Sequence, residues 1–282
     1  MAVIAAPERP ASTGWLFAPV RHNLLLALLP FIVVAAVYLV FSHQRLAENP
    51  ADKLLPSLAQ MADAIDRMAL KPDPQTGDYT LFVDTWASLK RIGLGVGIAA
   101  LAGLLLGINM GLLPRVRALL SPFVTFVSMV PPLAILPILF ISLGVDELSK
   151  VALIFLGVFP VIARDLMLAS GQIPREQVVK AITLGASQNA VIYRIVLPQI
   201  LPRLIDGVRL SLGPAWLFLI AAEAIAAQSG LGYRIFLMRR YLSMDVILPY
   251  VAWITLLAAL SDYLLRLLSR NAFPWVAAGR GR

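Results

Sequence analysis

The chain has 282 residues, of which 59% are hydrophobic and only 14% charged, against roughly 45–50% and about 25% in a soluble globular domain. It contains no cysteine, which excludes a disulfide framework and a thiolate metal centre, and its two histidines, His22 and His43, flank one apolar block instead of converging. The formal charge of +8 is spread along the chain in the manner of a membrane topology signal, which argues against a nucleic-acid footprint.

About 20 mostly apolar residues cross a bilayer core of roughly 30 Å. In chain order, 1–22 read as a cytoplasmic tail and 23–42 as a first span. No small-residue cleavage site follows that span, so it is expected to stay as an anchor. Residues 43–89 form a polar, largely acidic extracytoplasmic loop, in which 58–70 suit a short amphipathic surface helix and 71–78 (KPDPQTGD) suit a turn. A core of five further spans is expected over 90–270, with apolar stretches at 92–113, 118–145, 148–170, 210–233 and 246–266. The second of these is interrupted by Pro122, Pro131, Pro132 and Pro137. A polar cytoplasmic loop occupies 171–206, and 271–282 form a C-terminal tail. The fold class is therefore an all-α integral membrane protein. With the N-terminus inside, most arginines fall in cytoplasmic segments and the outer segments balance bases against acids, which places both termini in the cytoplasm.

Glu223 is an acid within a span, a position that costs roughly 2.5–3.5 kcal/mol on insertion scales and usually faces a cavity or a partner. It reads as a pathway-lining or gating group; the competing reading pairs it with a residue such as Arg234 or leaves it protonated. Trp216, seven residues earlier, falls on nearly the same helix face, after Gly213 and Pro214, which loosen the helix. Pro131 and Pro132 cannot donate backbone hydrogen bonds, and freed carbonyls in a span are tolerated where they face protein or a cavity. This makes the stretch containing Ser128, Met129, Pro131 and Pro132 a second candidate for the pathway wall. Arg164 and Asp165 read as a local ion pair. Gly93, Gly95 and Gly97 lie inside an apolar span, where helix packing through small residues explains them better than a nucleotide. The chain lacks a G-x-x-x-x-G-K-[ST] phosphate loop.

Residues 176–198, EQVVKAITLGASQNAVIYRIVLP, place two helical stretches around Gly185 and stop at Pro198. Such an elbow suits docking on a partner: Gly185 permits the sharp turn, and Ala181 and Ala186 would let another surface approach closely. An interfacial hairpin that only joins two spans fits the same pattern. The stretch resembles the coupling motif of ABC importer permeases, in which Glu-Ala-Ala is followed by three residues, Gly, nine residues, Ile, one residue and Leu-Pro. Here Ala181, Gly185, Ile195, Leu197 and Pro198 keep that spacing, whereas Val179 and Lys180 stand where Glu and Ala are usual; Leu184, Ala186 and Ser187 complete the elbow. The stretches VPPLAILPIL (130–139), GVDELSK (144–150), GVRLSLGPAWLFLIAAE (207–223), GLGY (230–233) and RNAFPW (270–275) resemble the nitrate, sulfonate and taurine branch of the same family.

That resemblance implies a type I importer permease fold and no enzymatic activity in this chain. It also implies a second copy of the permease, two cytoplasmic ATPase subunits that bind ATP and Mg in place of this chain, and an extracytoplasmic binding protein. The location would be the bacterial inner membrane, with lipid around it, and the cargo a small oxyanion such as taurine, an alkanesulfonate or nitrate moved by alternating access. A membrane enzyme would need nucleophiles or metal ligands converging within the spans. A secondary transporter would need inverted repeats and several intramembrane ionisable groups, and a channel would leave the elbow unexplained.

Overall fold

The computed structural model describes residues 24–50, 52–74 and 76–275; the tail expected over 1–22 and the last seven residues of the chain lie outside them. The chain divides into two units, Met1–Ser57 and Leu58–Arg282. Among the described residues all regular elements are helical and no strand occurs.

In the first unit, helix α1 (Leu24–Glu48) continues six residues past the apolar run and carries almost wholly exposed side chains, as a lipid-facing helix does. Its end is tied to the following segment. The Tyr38 hydroxyl donates to the Pro56 carbonyl at 2.7 Å, the Ser42 hydroxyl donates to the Leu55 carbonyl at 3.0 Å, and Arg45 pairs with Asp52 at 3.1 Å.

The second unit opens with α2 (Leu58–Ile65), the surface helix expected over 58–70, which passes into a wide π turn over Asp66–Leu70. The buried methyls of Ala64 and Ala69 turn it towards the bundle, and Arg67 bonds Asp245 at 3.0 Å. Next come α3 (Thr80–Leu112) and α4 (Pro114–Met129). Leu113 precedes a proline, is thereby pushed out of the helical region, and separates the two. The same restriction acts at Val130 and Pro131, whose ψ values of 121° and 117° make an extended link before a short 3₁₀ turn (Pro132–Ile135) and α5 (Leu136–Leu143). The two arms of this span are bent by 82°. Helices α6 (Glu147–Gly171), α7 (Arg175–Thr183), α8 (Gln188–Val191), α9 (Leu197–Ala226), α10 (Leu231–Arg239) and α11 (Met244–Ala272) complete the unit.

The centre of the bundle is the contact of α3 with α6. Gly95, Ala99, Gly103, Gly107 and Gly111 recur every fourth residue along one face of α3, a spacing that keeps them close to one stripe. A Cβ built at Gly95 would lie 2.7 Å from the Ile154 side chain, one at Gly103 2.7 Å from Ile162, and one at Gly107 2.6 Å from Leu166 and 3.0 Å from the Ala163 carbonyl. Partner numbers rise together, so the two helices run parallel. Because α3 and α6 point the same way, 113–146 must return the chain along the bundle, and the bent α4–α5 segment is one crossing. Of the glycine string, only Gly95 enters this seam; Gly93 and Gly97 face open space.

Helix α9 runs antiparallel to α6, with the Phe218 ring against Gly157 and Arg203 bonded to Asp165. Helix α11 runs parallel to α3. Near its start Trp253 Nε1 donates to Thr85 Oγ1 at 2.9 Å, and further along Asp262 accepts from Arg209 at 2.8 Å. Arg164 and Asp165 do not form the local pair expected from their adjacency. Neighbouring residues on a helix project in different directions, so Asp165 goes to Arg203 and Arg164 Nη1 donates to Ser128 Oγ at 3.0 Å.

The seam makes a paired prediction. Gly107→Ala puts a methyl against backbone and should lower stability by about 1–3 kcal/mol, whereas Gly97→Ala meets nothing within 4 Å and should be neutral or gain up to about 1 kcal/mol. Thermal unfolding of the two variants in detergent measures the contrast.

Candidate functional site

Two sites stand at opposite ends of the bundle. The first is a buried polar node. Glu223 on α9 is 0% exposed, and its carboxylate accepts from Ser88 Oγ at 2.8 Å, from Arg91 Nη1 at 2.6 Å and from the Gly232 backbone N–H at 2.8 Å. Arg91 is itself only 3% exposed. It continues to Glu147 at 2.7 and 2.6 Å and to the Ser229 carbonyl at 2.7 Å. Beside it, Asp84 accepts from the Gly230 N–H at 2.9 Å, from Arg234 Nε at 2.8 Å and from the Tyr250 hydroxyl at 3.3 Å. Gly230 has φ +129°, and a Cβ there would fall 2.5 Å from the Glu223 carboxyl carbon. Only glycine lets the chain turn there, and the turn folds α10 back so that the Leu231 N–H reaches Ser88 Oγ at 2.9 Å.

The node changes the expected surroundings of Glu223. Its cation is Arg91, not Arg234, which goes to Asp84, and its oxygens are taken up by protein. Trp216, on the same helix, is buried as well, with an indole Nε1 that meets no acceptor among the described residues. Sequence reasoning passed over Asp84, Ser88 and Arg91 because the apolar run begins at residue 92, and met Glu147 only as part of GVDELSK. The helix begins at Thr80, and the stripe that carries Gly95, Ala99 and Gly103 extends backwards through Ser88 and Asp84. That continued spacing is the signal that could have found them.

The second site is the elbow at the other end. The C-terminus of α7 closes with paired bonds, from the Ala186 N–H to the Ala181 carbonyl at 2.9 Å and from the Gly185 N–H to the Ile182 carbonyl at 2.9 Å. This is the Schellman arrangement, which requires a left-handed residue at its turn; Gly185 supplies φ +86°. Ser187 then caps α8 by accepting from the Ala190 N–H at 3.2 Å. A π turn over Ile192–Val196 joins α8 to α9, where Pro198 occupies the first turn and needs no hydrogen-bond acceptor.

Ala181, Ala186, Ile195 and Leu197 pack half-buried against the bundle core. The two alanines thus pack the elbow against its own protein. The outer surface is Val179, Lys180, Ile182, Leu184 and Tyr193, with Leu184 88% exposed. A cleft of about 420 Å³ opens beside the elbow, lined by residues that include Asp165, Gln172, Ile173, Gln199 and Arg203. The remaining wall candidates lie at the bend of α4. Ser128 is half-buried, Met129 and Pro131 are exposed, and Pro132 is half-buried. The two sites and the bend occupy separate regions, so the structure does not gather the sequence candidates into one pocket.

Truncating one partner of a buried ion pair leaves the other uncompensated, at a cost of about 3–5 kcal/mol. Arg91→Met should therefore sharply reduce the amount of folded chain recovered from membranes, and combining it with Glu223→Gln should restore a substantial part. Membrane abundance and detergent melting of the single and double variants test this.

Residues 99–275 match the family described as binding-protein-dependent transport system inner membrane component. The chain is 39% identical over 198 residues to the taurine transport system permease protein TauC of Escherichia coli K12, covering 70% of this chain and 72% of that protein. It is 32% identical over 195 residues to a putative aliphatic sulfonates transport permease protein, SsuC, of Bacillus subtilis 168, covering 69% and 71%. Among solved structures, the inward-facing methionine ABC transporter MetNI superposes with TM-score 0.61 over 71% of this chain and 98% of its own, at 19% identity, a likeness of fold. The coupling-motif spacing, the helical bundle and the family match agree: the chain belongs to the binding-protein-dependent transport system inner membrane component family and is a multi-pass ABC importer permease of the bacterial inner membrane.

Proposed function

We propose that this permease provides half of the translocation pathway of an ATP-driven importer for a small oxyanion, taurine or an alkanesulfonate, and that a second copy supplies the other half. A cytoplasmic ATPase docks on the α7–α8 elbow, and an extracytoplasmic binding protein delivers the solute at the node end. Both termini then lie in the cytoplasm, as the arginine distribution suggests. ATP and Mg belong to the ATPase.

The observation that carries this reading is the elbow. Val179, Ile182 and Leu184 are exposed apolar side chains leading into a doubly hydrogen-bonded turn at one end of the bundle, and Tyr193 is exposed on the π turn that follows. Apolar anchors on a preorganised surface are what a partner groove requires. Val179 and Lys180 depart from the usual Glu-Ala of the coupling motif only in side chains that face outwards, while the Lys180, Ala181 and Ile182 carbonyls still accept from the backbone N–H groups of Leu184, Ala186 and Gly185. The taurine and sulfonate assignments of the relatives support the solute class.

In the transport cycle, closure of the two ATPases moves the elbow as a unit and α9 with it. A ligand or nucleotide can shift such an equilibrium only through contacts that differ between the two states. The elbow surface provides them for the ATPase. Glu223 and Trp216 stand behind the pathway wall. Glu223 acts as a gate by holding α9 and α10 to α3, without touching solute, and Ser128, Met129, Pro131 and Pro132 form the wall at the bend of α4.

Leu184→Glu tests the docking. The side chain is 88% exposed, so the variant should fold and insert normally while co-purification of the ATPase encoded beside its gene falls by about tenfold or more, a loss of at least about 1.4 kcal/mol. Gly185→Pro, which removes both the left-handed turn and the N–H donor, should abolish association. Unchanged co-purification in both variants would overturn the elbow assignment.

A further inference from the structure

We propose that Arg164, held by Ser128, draws the anionic group of the solute along the pathway wall formed by α4 and α6. This rests on the importer reading above and names the residue that favours an anion within it. Arg164 lies seven residues before the end of α6 at Gly171, about 10 Å along the helix axis. Its side chain is exposed on the bundle surface, and among the described residues its one hydrogen bond is to Ser128 Oγ at 3.0 Å, the Ser128 hydroxyl in turn donating to the Thr125 carbonyl at 2.7 Å. Among the described residues no carboxylate pairs with it. The adjacent Asp165 does not serve, because it is engaged by Arg203 at 2.9 and 2.5 Å.

Three other arginines of the long helices differ. Arg91, Arg203 and Arg209 each bond at least one carboxylate. An uncompensated guanidinium facing hydrocarbon costs several kcal/mol, and ionisable groups in spans therefore mark aqueous cavities and solute paths. Arg164 also abuts the one place where the span is broken. Ser128 is followed by Met129 and the Val130–Pro132 link, where the helix bends by 82°. A guanidinium offers five N–H donors in a planar fork that matches the oxygens of a sulfonate or carboxylate. Ser128 occupies only one of them, so the fork is steadied while the rest remain open to an anion. Arginine keeps its charge at any physiological pH, so the preference for anions is permanent.

The chain's lack of cysteine provides a test that does not depend on transport. Ser128→Cys, with Met129→Cys as the second reporter should the first accumulate poorly, is expressed with the ATPase. It is then labelled in right-side-out and inside-out membrane vesicles with two membrane-impermeant thiol reagents of similar size. One is methanethiosulfonate ethylsulfonate, an anion, and the other methanethiosulfonate ethyltrimethylammonium, a cation. The reporter should react from at least one side, and Arg164→Gln should lower the anion-to-cation rate ratio by about tenfold, as expected of one charge removed a few ångströms away in a wet, screened site. Leu105→Cys, exposed on the face of α3 away from the glycine seam, should remain unlabelled.

A ratio unchanged by Arg164→Gln, or reporters unreactive from both sides, would overturn the assignment. Association of the ATPase is scored in the same preparations. Its loss would remove the importer reading, whereas a flat ratio with the ATPase present would remove only the role of Arg164.

Discussion

In a lipid environment helices gain nothing by burying apolar surface against one another, because the solvent is equally apolar, and association depends on close packing and on polar bonds. The glycine seam of α3 supplies the close packing. Its residues let the backbone of α3 come within side-chain-free distance of Ile154, Ile162 and Leu166, and this contact fixes the two helices as parallel neighbours. Much of the remaining topology follows. The chain must return between them, and it does so through the bent α4–α5 crossing. Helix α9 then packs antiparallel along α6, and α11 parallel to α3. The polar node sits where the ends of α3, α6, α9 and α10 meet, and its charges offset one another: Arg91 and Lys150 against Glu147 and Glu223, Arg234 against Asp84. Solvating ionic groups with each other in this way is costly to build and severe to break, which suits a fastening better than a binding pocket.

Helix α9 links the two ends of this unit. Its thirty residues span about 45 Å, from the elbow at one end to Glu223 at the other. It is tied to α6 through Asp165 and Arg203, to α11 through Arg209 and Asp262, and to α3 through Ser88 and Arg91. A displacement of the elbow therefore cannot stay local unless α9 bends. Pro202 and Pro214, each lacking a backbone donor within the helix, mark where bending is least costly.

The spans and the elbow were legible in the sequence for different reasons. Apolar runs of bilayer length are a strong one-dimensional signal, and the spacing from Ala181 to Pro198 encodes hydrogen bonds that are local in sequence. The polar start of α3 was not legible, because Thr80–Leu89 reads as loop until it is known that Asp84 and Ser88 have partners near residues 223–234. The glycine string was read at the wrong period. Gly93, Gly95 and Gly97 attract attention as neighbours, yet the contact follows every fourth residue and uses only the middle one. Arg164 and Asp165 illustrate the same lesson. Proximity along a helix is not proximity in space, and two side chains one residue apart point about 100° away from each other.

The π turn over Ile192–Val196 has a bearing on how elbow and span are matched. It closes with a bond from the Leu197 N–H to the Ile192 carbonyl, one residue wider than an α turn, and such widenings correspond to a single extra residue accommodated in a helix. Each residue of an α-helix advances the chain by about 100°. The widened turn thus sets the azimuth of the elbow about the α9 axis. Shortening it by one residue would leave both α8 and α9 helical yet aim Leu184 and Val179 roughly a quarter of a turn away from their present heading, so this short segment works as a phase adjuster between the lever and its rod.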